Sequence, residues 1–111
     1  MVKYLTVSRV FKALSDPTRR RVLELLRNGP MSAGDLAEHF NVSKPAMSAH
    51  FAVLREAGLI DSQKHGKSVI YELQMSVLED ALLGFARTFG WTIQESRVAK
   101  PKRIVREVFN S

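Results

Sequence analysis

The chain has 111 residues, enough for one hydrophobic core and too few for two ordinary domains with a linker; its 45% hydrophobic and 25% charged content is that of a folded globule and excludes a disordered chain. Seventeen lysines and arginines against eleven acids give a formal charge of +6, so polyanions are the natural partners, although charge alone does not separate DNA from RNA or an anionic membrane. The lack of cysteine excludes disulfides, thiolate metal sites and thiol redox sensing, and with no spanning apolar run and no apolar leader a cytoplasmic protein without membrane insertion is expected.

From the N-terminus, Tyr4 to Leu14 places Leu5, Val7, Val10, Phe11 and Leu14 on roughly one side, which predicts a short amphipathic helix. Ser15-Asp16-Pro17-Thr18 stops it, and Asp16 can cap a second helix with Pro17 at its first position. That helix carries Val22, Leu23, Leu25 and Leu26 inward and ends at Asn28-Gly29-Pro30. Ser32 with Asp35 three residues on starts a third helix of about two turns, with Leu36, Ala37 and Phe40 facing inward. A tight turn at Asn41-Val42 leads to a fourth helix, capped by Ser43, with Pro45 in its first turn and Met47, Phe51 and Leu54 at i, i+4 and i+7.

After Ala57-Gly58 the period changes. Leu59 to Leu73 reads as a hairpin whose tip, Lys64-His65-Gly66-Lys67, is basic. From Met75 to about Ser96, Val77, Leu78, Ala81, Leu82, Phe85, Phe89 and Ile93 recur at helical spacing, which predicts a long last helix. Residues 97–111 form a basic tail, interrupted by Pro101, in which Ile104, Val105, Val108 and Phe109 suggest a docked segment. The expected organisation is therefore one domain over residues 1–96 and a tail over 97–111. The expected fold is mainly α with a small β-hairpin, in the order α-α-α-α-β-β-α.

Two short helices joined by a three- or four-residue turn, followed by a hairpin, form an arrangement that lets one helix enter the major groove while the other braces it. On the fourth helix the inward stripe leaves Pro45, Ser48, Ala49 and Ala52 projecting outward, with Ala46 and His50 on the flanks. Small side chains matter there, because a groove about 12 Å wide admits a helix only if its outer face is uncluttered. Ser43, Lys44 and His50 stand where backbone donors and the positive helix end attract phosphate. Lys64, His65 and Lys67 equip a wing that would meet the backbone or the adjacent minor groove. The plain alternative is an amphipathic helix with small solvent-facing residues, and the basic hairpin is what favours the DNA reading.

The segment "FKALSDPTRRRVLELLRNGPMSAGDLAEHFNVSKPAMSAHFAVLREAGLI", followed by "HGKSVIYEL", resembles the ArsR-type winged helix-turn-helix repressors from about Val10 to Leu73, and most closely their metal-independent autorepressor branch. The resemblance implies a transcriptional repressor that binds double-stranded DNA as a symmetric dimer, built on the first and last helices and presenting two recognition helices to a palindromic operator. It carries Ser43, Lys44, Pro45, Ala46, Ser48, Ala49 and His50 over as the recognition helix, with Ser32, Lys64, His65 and Lys67 as backbone contacts. Leu5, Val10, Leu78, Leu82, Phe85 and Phe89 are the expected dimerisation residues. Relatives often have a second histidine or a polar residue where this chain has Ala49.

Metal-sensing members carry paired cysteines where this chain reads "DLAEHF", and the last helix offers Glu79 and Asp80 without histidine, so neither metal nor another cofactor is expected. His39, His50 and His65 are too scattered for a spacing-defined site. Arg19-Arg20-Arg21 could touch phosphates but reads as a charge run that solvates a face, and the resemblance at "DPTRR" implies a mainly structural role with occasional backbone contact; Phe85, Phe89 and Trp91 read as dimer core in preference to a ligand pocket. Without a phosphate loop, a nucleophile elbow or a clustered carboxylate pair beyond Glu79-Asp80, an enzyme is not expected. The rival reading is a winged helix used for protein contact. An inducer, if there is one, would be a small molecule or a protein partner.

Overall fold

The computed structural model describes residues 2–91, with side chains from Thr6 onward. In chain order it runs α1 (Val2–Leu14), α2 (Pro17–Leu26), β1 (Met31–Ser32), α3 (Ala33–Ala37), α4 (Lys44–Glu56), β2 (Ile60–His65), β3 (Ser68–Leu73) and α5 (Met75–Thr88). Helices and hairpin follow the expected order, and β1 is an addition. Two residues carry no readable alternation, so β1 exists only because Met31 and Ser32 pair antiparallel with Tyr71 and Ile70, giving a three-stranded sheet in the order β1-β3-β2.

Each of the three helices that lead to and include α4 is started by a side chain that takes up otherwise orphaned backbone donors. Asp16 Oδ2 accepts from the N–H groups of Thr18 (2.8 Å) and Arg19 (3.2 Å), with Pro17 at the first helical position. Ser32 Oγ accepts from Asp35 N–H at 3.0 Å, and Ser43 Oγ from Ala46 N–H at 3.2 Å. The third helix is shorter than expected, ending at Ala37, and residues 38–43 make a longer connection to α4 than a three- or four-residue turn. Phe40, beyond the helix end, still packs on the core.

The core gathers one stripe from each element: Val10 and Ala13 from α1, Val22, Leu23 and Leu26 from α2, Leu36 from α3, and Met47, Phe51 and Leu54 from α4. Leu59, Ile60, Tyr71 and Ala81 close it, and the Phe51 and Tyr71 rings meet with centroids 4.7 Å apart. Val10 is 0% exposed. Expected on the dimer face, it is instead spent inside the protomer, because α1 is sandwiched between α2, α4 and α5 and its inward stripe serves that packing.

The last helix also departs from expectation. It stops at Thr88 and does not run to about Ser96, because Gly90 adopts φ +73° and lets the chain turn back: Gly90 N–H donates to Arg87 C=O (3.0 Å) and Trp91 N–H to Ala86 C=O (2.9 Å). That pairing of bonds satisfies two terminal carbonyls of the helix. Ile93, the side chain of Leu5 and the whole tail from residue 97 lie outside the described residues. None of the described helices is long and apolar enough to cross a membrane.

Candidate nucleic-acid interface

Helix α4 turns Met47, Phe51 and Leu54 inward at 2%, 6% and 0% exposure, and this anchoring decides which residues face away. Lys44, Pro45, Ser48, Ala49 and Ala52 are all exposed, while Ala46 and His50 are partly buried on the flank. Apart from Lys44 and the terminal Arg55 and Glu56, nothing longer than serine stands on the exposed face. A helix about 10–12 Å across with its side chains fits a groove about 12 Å wide only with such a face.

The N-terminal end of α4 is less open to an anion than the sequence suggests. Pro45 has no N–H, and the Ala46 N–H is taken by Ser43 Oγ, so of the first three donors Lys44 N–H remains. Ser32 is likewise engaged, pairing with Ile70 in the sheet and capping α3. Both serines hold their helices in place, and both hydroxyls keep acceptor capacity and a rotatable proton.

The hairpin β2–β3 turns through Gly66-Lys67, with Gly66 at φ +61°, the glycine-first pattern of a two-residue hairpin loop. Lys64, His65 and Lys67 are exposed. Successive residues alternate between sheet faces, so Lys64 shares the face of Ser62 and Tyr71, while His65 shares the opposite face with Asp61, Gln63, Ile70 and Glu72. There the imidazole Nε2 lies 3.3 Å from Gln63 Oε1, and Asp61 stands directly across from Glu72. Lys64 and His65 therefore stand on opposite faces of the sheet, and Lys64 is separated from the carboxylates by the pleat.

His50 is where sequence reading missed a connection. Arg19, one member of the arginine run, donates from Nε to Ala13 C=O (2.8 Å), from Nη2 to Lys12 C=O (2.9 Å), and from Nη1 to His50 Nδ1 (3.2 Å). Asp16 Oδ2 lies 3.9 Å from the same Nδ1. Partial burial pushes the Asp16 carboxyl up, but the N–H donors of Arg19 and Thr18, together with the charges of His50 and Arg19, outweigh it and hold it below its usual 3.8. Spacing along α2 gives Arg19 no distinction from Arg20 or Arg21. Only its position three residues after the capping Asp16, on the side turned toward α4, marks it.

A second surface lies where α1 meets α5. Phe11 of α1 meets Phe85 of α5 with ring centroids 4.8 Å apart, and Phe85 meets Phe89 at 5.0 Å. Leu82, Phe85, Phe89 and Trp91 are 41%, 44%, 71% and 67% exposed, whereas Leu78 is packed against the core. Apolar side chains this large and this close together are unusual on a monomer.

Comparison with known proteins agrees with this geometry. Residues 16–62, from the cap of α2 to the first turn of the wing strand, match the arsR family of bacterial regulatory proteins. The chain is 49% identical over 76 residues to the transcriptional repressor SdpR of Bacillus subtilis, a match covering 68% of this chain and 84% of that protein. It is 37% identical to an arsenical resistance operon repressor of Staphylococcus xylosus, over 70% of this chain and 75% of the other. Among solved structures, an ArsR-like transcriptional regulator from Rhodococcus sp. RHA1 superposes with a TM-score of 0.67 at 30% identity, over 97% of this chain and 93% of that one. These relatives are transcriptional repressors and regulators, not enzymes, and this chain belongs to the arsR family of DNA-binding transcriptional repressors.

Proposed function

We propose that the protein acts as a homodimer that occludes a promoter by binding a palindromic operator, each protomer laying α4 in one of two successive major grooves. The observation that carries this reading is the division of α4: a stripe buried to 6% exposure or less against an exposed face of Lys44, Pro45, Ser48, Ala49 and Ala52. On this reading Ser48 and Ala49 meet base edges, Ser43 and Lys44 meet phosphate at the helix start, and Lys64 and Lys67 reach the flanking backbone. Leu82, Phe85 and Phe89 bury against their symmetry mates. The chain has no cysteine and α5 no histidine, which supports repression without a metal sensor.

Selection of bound duplexes from a random pool with the purified protein, followed by a salt titration on the selected site, tests the proposal. A palindromic site should emerge, and log K should fall linearly with log salt, by about 0.9 for each phosphate neutralised. Lys67→Ala should weaken operator and random duplex alike and reduce that slope by about 1. Selection of no site, or an affinity indifferent to salt, would favour protein contact through α4 and remove the reading.

A further inference from the structure

The bond between Arg19 and His50 fixes more than a helix contact. A guanidinium has donors and no acceptor, so the nitrogen it meets must offer a lone pair. When the ring is neutral, Nδ1 of His50 is therefore its unprotonated nitrogen, and the proton sits on Nε2. The His50 side chain is 19% exposed. Among the described residues no buried side-chain nitrogen or oxygen is left without a partner, and Nε2 has none there, so Nε2 reaches solvent. It does so on the flank of α4, one residue past the exposed Ala49.

Arg19 cannot readily move away from this arrangement. Its other donors are held by the Lys12 and Ala13 carbonyls at the end of α1, and its own N–H is held by the Asp16 cap. The ring is thus oriented from three elements at once: the end of α1, the start of α2 and the middle of α4. We propose that Arg19 is a positioning residue that locks His50 in the Nε2–H tautomer, so that the ring presents one aimed, uncharged donor to a phosphate oxygen of the bound duplex. This rests on the placement of α4 in the groove proposed above, and it adds to the expected phosphate contact of His50 a tautomer and an orientation set by Arg19.

Two measurements test it separately. In 15N spectra of the full chain without DNA, at about pH 8.5 where an ordinary imidazole is neutral, the Nδ1 signal of His50 should be displaced from that of an unbonded acceptor nitrogen, and Arg19→Ala should abolish the displacement. An undisplaced Nδ1, or a protonated one, overturns the lock. For binding, His50→Asn keeps an acceptor near Nδ1 and removes the outer donor, without touching the bonds from Arg19 to α1. It should lower affinity on the order of tenfold, the size of one hydrogen bond to a charged group. The loss should be similar on operator and scrambled duplex, as for a phosphate contact.

Arg19→Ala combined with His50→Asn should lose little more than His50→Asn alone, because both substitutions remove the same contact. Additive losses, wild-type affinity in His50→Asn, or a loss confined to the operator would overturn the assignment. His50→Gln, which keeps a donor near Nε2, should recover part of the affinity. A protein that binds no duplex would sink the operator reading and the phosphate contact together, while the Nδ1 signal reports the Arg19–His50 bond regardless.

Discussion

Ser48 is exposed on α4 beside the small Ala49, with the buried Met47 before it in sequence and Phe51 one turn on. Replacing it by glutamate should leave the thermal transition close to wild type, since the position is open, and should lower operator affinity by about 1–3 kcal/mol, the range for one base contact. A filter-binding or anisotropy comparison with a scrambled duplex reads the specific part of that loss. Asp16 makes a different prediction. Its carboxyl pKa lies below 3.8 in the folded protein, so the ionised form is favoured by folding and its contribution is fully present above the unfolded value. That contribution is lost as pH falls through the lower folded value. Acid titration of wild type and Asp16→Asn should therefore show a stability gap near neutrality that closes below pH 3.8.

How far the residues could be read in advance followed from how local their causes are. Asp16, Ser32 and Ser43 were legible as caps because a cap is decided within three residues, and the stripe of Met47, Phe51 and Leu54 because helical periodicity repeats within one turn. The burial of Val10 and the partner of His50 were not legible for the opposite reason. The face of α1 that is consumed by its own protomer depends on where α5 crosses it, and the partner of His50 lies 31 residues away. No spacing rule within one helix reports either.

At the scale of elements, α4 is held by its stripe, and the cost of loosening it can be stated. Leu54 is 0% exposed in the midst of the core, so Leu54→Ala should destabilise the fold by about 2–5 kcal/mol, read from the shift of the urea midpoint with an unchanged slope. The hairpin was legible from its glycine turn and alternation, whereas β1 was not. A two-residue strand has no pattern of its own and is defined by the edge of β3 that receives it. The end of α5 was half legible: Gly90 is visible as a helix breaker, but apolar spacing beyond it argued for continuation. The backbone resolves the conflict with a cap at Gly90, where a left-handed residue closes the helix.

For the molecule as a whole, the proposed reading divides the work between two exposed surfaces, one helix face turned outward for DNA and an aromatic patch for a second copy. Phe89, 71% exposed, contributes little to the protomer core. Phe89→Glu should therefore leave the fold intact and convert the dimer to a monomer in sedimentation, with operator binding falling steeply because two half-sites are no longer engaged together. A variant that remained dimeric would remove α5 from the proposed interface. The family assignment was legible in the sequence because caps, stripe and wing occur in a fixed order, while how far each aromatic of the patch stands exposed was not, since exposure is a property of the folded surface.

The short strand β1 has a further bearing on how the hairpin behaves. Because Met31 and Ser32 lie along the middle of β3, the base of the wing is woven into the sheet, and only the stretch from Lys64 to Val69 extends beyond the part that β1 pairs with. Whatever accommodation the wing makes to a duplex is confined to that short overhang. Little conformational freedom is then surrendered on contact, and less of the association free energy is consumed in ordering the arm than if the whole hairpin had to be immobilised.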